Sequence, residues 1–146
     1  MLAVATVLLL AIAPAAAQEL PGVVEQHLKT LVKDCDGKMD VARKSLQAID
    51  LNEDGIPDFV IDTEKLGCEM GTYYCGSAGC TLMIFASHGG KHAIVWEGNV
   101  HQWKPIKLRG KPGIHFDLHG SACNKVGSAA CRKRFVFDGA RLRPVK

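Results

Sequence analysis

The clearest chemistry in this chain lies between Asp50 and Asp58. Oxygen-bearing side chains stand at Asp50, Asn52, Asp54 and Asp58, with Gly55 between the last two, a D-x-N-x-D-G-x-x-D spacing. Alternate residues of a chain that wraps round a point direct their oxygens inward. A glycine after the third ligand permits the sharp turn that continues the wrap, and the next residue, Ile56, offers its carbonyl. Carboxylate, amide and carbonyl oxygens are hard ligands that suit Ca2+. A second cluster is His115, Asp117 and His119, which alternate on one predicted strand and so share one face. Two imidazoles and a carboxylate could hold Zn2+ or Cu2+; the competing reading is a solvated strand face. No catalytic residues are assigned. The Gly-x-Ser-x-Gly elbow is absent. The Gly76–Gly79 segment lies between cysteines, not before a helix, and makes no phosphate loop.

The loop departs from the EF-hand. Its twelfth position is Ile61 where a bidentate Glu belongs. Pro57 and the β-branched residues after it oppose an exiting helix, so the loop leads into a strand. In that respect it resembles the calcium loops of FG-GAP and VCBS-type repeats and is similar to dockerin and thrombospondin type 3 loops. The resemblance covers about a dozen of 146 residues, in a single copy. It implies that Asp50, Asn52, Asp54 and Asp58 ligate by side chain and Ile56 by its carbonyl. Asp62, Glu64 or water is left to complete the shell.

The elements that must hold these residues follow from periodicity. Val24, Leu28, Leu31 and Val32 recur at helical spacing over residues 20–35, with Pro21 suited to a first turn. A second short helix is expected over 39–46. From Asp50 the pattern turns to strands: 58–62, 81–87, 92–97, a broken or edge strand in 100–108 at Pro105, 113–119, 134–137 and 140–142. Gly89-Gly90 and Asp138-Gly139 read as hairpin turns. The expected fold class is α+β, with an N-terminal helix or helices packed on an antiparallel β-meander sheet stapled by disulfides.

Residues 1–17 read as a signal peptide: an apolar run over 2–13, then Ala15, Ala16 and Ala17 before Gln18. That run is too short for the roughly 20 residues of a membrane span, so no stable span is expected after cleavage. Residues 18–146 then form a single exported α+β domain, periplasmic or secreted and bacterial in character. Its six cysteines are Cys35, Cys68, Cys75, Cys80, Cys123 and Cys131. In an exported chain an even number reads as disulfides, and no paired Cys-x2-Cys motif suggests a metal-thiolate site. Many pairings are open in principle. Locality favours Cys75–Cys80 and Cys123–Cys131, which leaves Cys35–Cys68.

The net charge of +3 hides an asymmetry: residues 18–64 carry eleven acids and five bases, residues 99–146 eleven bases and two acids. Either the two ends neutralise each other in the fold, or the basic half serves an anionic partner. The expected function is an exported, calcium-stabilised binding module acting on an envelope component or protein partner: an anionic glycan, lipid or protein, not nucleic acid. Enzymatic activity is disfavoured. Two alternatives remain: a Zn- or Cu-dependent hydrolase or metal carrier using the His115/Asp117/His119 face, and an inhibitor or immunity protein of an envelope enzyme.

Overall fold

The computed structural model describes residues 19–35, 37–67, 73–139 and 141–145. The proposed signal segment, 1–17, lies outside them. The first helix, α1 (Gly22–Asp34), starts directly after Pro21 and buries Val24, Leu28 and Leu31 on one face. Glu25 in its first turn and Lys33 in its last complement the helix dipole. A second helical segment, α2 (Met39–Arg43), is shorter than the sequence suggests. The chain leaves the helix at Ser45, whose hydroxyl donates to the Ala42 carbonyl at 2.6 Å and whose own carbonyl accepts the Asp62 amide at 2.8 Å. That second bond hands the chain to a sheet, and β1 (Leu46–Ile49) pairs with β2 (Asp58–Asp62) in the register Leu46 to Ile61. The Asp50–Asp58 loop is the connection between these two strands.

The fold is mixed α+β with two antiparallel sheets rather than one. In the first sheet, β4 (Gly79–His88) is central. It pairs with β2 and the short β3 (Cys75–Gly76) along one edge and with β5 (Lys91–Val100) along the other. The second sheet runs in sequence order through β6 (Gln102–Leu108), β7 (Lys111–Leu118), β8 (Cys131–Asp138) and β9 (Arg141–Val145). The chain crosses between sheets at His101, whose amide donates to the Asp117 carbonyl at 2.8 Å. Pro105 falls on β6, an edge strand, as its missing N–H demands.

The reason for two sheets is legible in burial. Every residue of β2 is buried, because both faces of the first sheet are covered. Phe59, Ile61, Met83 and Phe85 cluster with Val24, Leu28 and Leu31 of α1. Val60, Leu82, Ile84 and Ala86 cluster with Ile114, Phe116, Leu118 and Phe137 of the second sheet. Strand alternation sends neighbouring side chains into the two different cores. Trp96 stacks on Phe116 at a centroid distance of 4.3 Å and anchors the core between the sheets. The β4–β5 hairpin turns on Gly89 (φ 56°) and Gly90 (φ 75°), the left-handed pair that matches strand twist.

Disulfides join Cys75 to Cys80 across β3 and β4, and Cys123 to Cys131 across the loop before β8. Cys35 is also disulfide-bonded; its expected partner, Cys68, lies outside the described residues. Among the described residues no helix is long and apolar enough to cross a membrane.

Candidate functional site

The β1–β2 loop coils on itself. Glu53 (φ 61°) and Gly55 (φ 83°) both adopt left-handed backbone conformations, at alternate positions. The intervening side chains turn inward to meet the loop's own amides. Asp50 Oδ1 and Asn52 Oδ1 both accept the Asp54 N–H, at 3.2 and 3.1 Å. Asp50 Oδ2 accepts the Gly55 N–H at 2.9 Å, and Asp54 Oδ1 accepts the Ile56 N–H at 2.9 Å. Asp54 is held below its ordinary pKa, first by the Ser87 hydroxyl and then by the Ile56 amide. It therefore stays ionised across neutral and mildly acid pH. Each of Asp50, Asn52 and Asp54 keeps at least one oxygen lone pair free of these bonds.

Asp58 is placed differently. It is fully buried. Its Oδ2 accepts the Leu51 and Asn52 amides at 2.7 and 3.1 Å, and its Oδ1 the Ser87 amide and hydroxyl at 2.7 and 3.0 Å. Of the about four acceptor positions of a carboxylate, Asp58 has three filled by backbone amides, and it competes with Asp54 for the one Ser87 hydroxyl proton. It serves here as the anchor of the loop rather than as a free oxygen ligand. Ser87, on β4, is the residue that sequence reasoning missed. Its hydroxyl also lies 2.8 Å from Asp54 Oδ2, and its carbonyl accepts from Asn52 Nδ2 at 2.9 Å. No local pattern marks it, because the contact is made across the sheet.

Asp62 stands at the far end of β2, about 13 Å from Asp58 at strand rise. Its Oδ1 caps the following turn through the Glu64 amide at 3.2 Å, and its Oδ2 accepts the Trp103 indole N–H at 3.1 Å. It ties the two sheets together and does not reach the loop, and Glu64 lies farther along the chain still.

The histidine cluster divides. His115 and Asp117 face outward from β7 while Ile114, Phe116 and Leu118 are buried, as alternation requires, but His119 lies one residue past the strand. His115 Nε2 lies 3.2 Å from Asp117 Oδ1, which also receives Arg132 at 3.5 Å. His119 turns away: its Nδ1 meets the Ser121 hydroxyl at 2.8 Å. Its Nε2 edge lies against Gly127, where a Cβ would come within 2.3 Å. The imidazole nearest to it is His101, with ring centroids 6.4 Å apart. Among the described residues no three His, Cys, Asp or Glu side chains are gathered as a metal-binding group. In the β1–β2 loop this follows from Asp58 being turned to its donors, which leaves two carboxylates beside an amide and a carbonyl oxygen.

The outer face of the second sheet concentrates the positive charge. Cross-strand partners share a face, and the registers align Gln102, Asp117 and Arg132 in one row. Lys104, His115, Arg134 and Val145 form the next, and Ile106, Gly113, Val136 and Arg143 the third. Arg141 and Asp138 pair beyond them. Lys104, Arg132, Arg134, Arg141 and Arg143 are exposed. Asp117 engages Arg132 and His115, and Asp138 engages Arg143 at 2.7 Å. Lys104 and Arg134 flank His115 without a carboxylate of their own among the described residues. The acid-rich loop sits apart, beside the β6–β7 and β8–β9 hairpins, where Lys107 meets Glu53 at 2.9 Å. Among the described residues the two charged halves of the sequence are thus joined by one ion pair, and the basic sheet face is left uncovered.

Comparison of the chain with protein-family models, with curated proteins and with solved structures finds no match.

Proposed function

We propose that this chain is an exported binding module, stabilised by calcium at the 50–58 loop, that presents the outer face of its second sheet to an anionic partner. The observation that carries the reading is the charge on that face: six exposed cations, Lys104, Lys111, Arg132, Arg134, Arg141 and Arg143, on a hydrogen-bonded sheet, with Asp117 and Asp138 as the acids. Rigid sheet backbone holds these side chains at fixed spacing, so a partner meets a preformed array rather than a flexible tail. Disulfides fit a protein of an oxidising compartment, the periplasm or the exterior.

Calcium is the stabilising part of the proposal. Support comes from the two left-handed turns at Glu53 and Gly55 and from the free lone pairs on Asp50, Asn52 and Asp54. These oxygens, with the Ile56 carbonyl, would hold the ion, and water completes the six to eight ligands Ca2+ takes, about 2.4 Å away. Asp58 joins the shell only by releasing amides, so its part is to fix the loop to β4. The ion's role is structural, since the loop lies apart from the basic face. Calcium titration of the oxidised protein, followed by thermal unfolding, tests this. A melting temperature indifferent to calcium removes the ion. Failure to bind any anionic polymer, vesicle or acidic protein at low salt removes the partner class.

A further inference from the structure

We propose that the occupant of the basic sheet face is a linear acidic polysaccharide bearing uronate carboxylates, laid across the strands along the Lys104–His115–Arg134 row. The inference rests on the assignment of that sheet as the working surface and names the partner. Neighbouring strands are about 4.8 Å apart, so the row sets Lys104 and Arg134 on either side of His115, roughly 10 Å from one another. Acids bound this lane on both sides. Asp117 lies in the row before it and Asp138 beyond the row that follows. A plane of lipid headgroups pressed on the whole face would meet both carboxylates. A chain one sugar wide passes between them.

The chemistry of the lane also favours carboxylate. Arg143 already binds a carboxylate on this face, Asp138, through its Nε at 2.7 Å, and Arg132 lies 3.5 Å from Asp117. Arg134, exposed and without such a partner among the described residues, is free to offer its planar guanidinium to an incoming carboxylate. Ile106 and Val136 flank Gly113 in the adjacent row, half-buried, and give a low apolar floor against which sugar C–H faces can rest. Among the described residues the face carries no exposed aromatic hot spot, and its exposed aliphatic side chain, Val145, stands on the edge strand β9. A protein partner would need such a hot spot at its centre.

The test uses the full oxidised protein with calcium present and hyaluronan as the probe, a linear glycan with a carboxylate on alternate sugars. Neutral dextran and vesicles of anionic phospholipid are the comparisons. Hyaluronan is expected to bind, to weaken as salt rises, and to weaken about tenfold in the Lys104→Glu/Arg134→Glu double variant, as fits the loss of two exposed charge contacts. The Lys29→Glu/Lys33→Glu variant, which makes the same charge change on α1, is expected to bind as the parent does. Thermal unfolding of each variant verifies that it is folded, and the milder Lys104→Gln/Arg134→Gln pair replaces any that is not. Equal losses from both charge-reversed pairs, or full binding by the Lys104/Arg134 variant, overturn the lane. Binding to vesicles alone overturns the glycan while leaving an anionic partner for the face. Binding to neither probe by a folded protein sinks the glycan, and loss of the face itself then requires that acidic proteins fail as well.

Discussion

Asp58 and Ser87 are twenty-nine residues apart in sequence, yet the Ser87 amide donates to Asp58 Oδ1 at 2.7 Å and the Ser87 hydroxyl lies 3.0 Å from the same oxygen. Through this contact the β1–β2 loop is fastened to the central strand of the first sheet. A buried carboxylate is tolerated there because three backbone amides and a share of the Ser87 hydroxyl meet its oxygens.

Removing that carboxylate should be the most damaging single change in the loop. Asp58→Ala strands the Leu51, Asn52 and Ser87 amides, all donors to a charged acceptor. Bonds of this kind are worth about 1.5–3 kcal/mol each and are partly replaced by water on relaxation, so a loss of about 3 kcal/mol is expected. Ser87→Ala deletes one hydroxyl and keeps the amide, which predicts about 1 kcal/mol. Urea unfolding in EDTA measures both without calcium. Equal losses would show that the hydroxyl, not the carboxylate, carries the anchor.

Calcium should raise the melting temperature of the oxidised protein, and at a hundredfold excess over Kd the stabilisation is about 2.7 kcal/mol. Asp54→Ala removes a carboxylate from the loop interior but spares Asp58 and its amides. That variant should remain folded in EDTA and show no response to calcium. If it responds as the parent does, the ion is bound elsewhere or the loop is only a hydrogen-bonded turn.

How far the sequence carried these elements depended on whether their cause was local. The α1 stripe of Val24, Leu28 and Leu31 and the turn at Gly89-Gly90 come from nearest-neighbour rules and are present, whereas Asp138, expected in the turn with Gly139, is the last paired residue of β8, opposite Arg141. Cys75–Cys80 and Cys123–Cys131 close short loops and followed from locality. The helix expected over 39–46 ends instead at Arg43, and Leu46 opens a strand, because its partner β2 lies beyond the loop and pairing rather than propensity makes β1. The division into two sheets was equally hidden. The central residues of β2 and β4, 59–61 and 82–86, are apolar on both faces, so period alone does not say that two different cores claim them. Ser87 and the outward row of Lys104, His115 and Arg134 exist only through cross-strand register.

Tyr74 gives an alkaline signature. Its hydroxyl donates to Asp34 at the end of α1, and its pKa is pushed up to about 12 from an ordinary 10.0, by burial first, then by that hydrogen bond and the Asp34 charge. A pKa raised in the folded state stabilises fully below the unfolded value and fades as pH rises through the folded one. The contribution should therefore be intact below about pH 10 and lost toward pH 12. Tyr74→Phe should be less stable at neutral pH and lose less stability across that window. Parallel slopes for the two proteins above pH 10 would mean that the contact does not persist in solution.

Two glycines of the β3–β4 hairpin separate backbone necessity from mere smallness. At Gly79 the backbone is left-handed (φ 95°), and a Cβ would come within 2.1 Å of the Val100 carbonyl oxygen. The obstructing atom is backbone in β5, paired beside the Cys80 to Val100 register position, so it cannot swing aside like a side chain. Left-handed backbone alone disfavours an alanine by about 1–2 kcal/mol, and displacement of β5 adds to it. Gly79→Ala should therefore destabilise by more than about 2 kcal/mol. Gly76 has ordinary φ and open space where its Cβ would stand. Gly76→Ala should be neutral, or stabilising by up to about 1 kcal/mol through the unfolded chain. Thermal unfolding of both variants, with the disulfides verified by mass spectrometry, measures the difference. If the two substitutions prove equivalent, the close approach of β5 to this hairpin is not maintained in solution, and the hairpin would owe its shape to the Cys75–Cys80 bond alone.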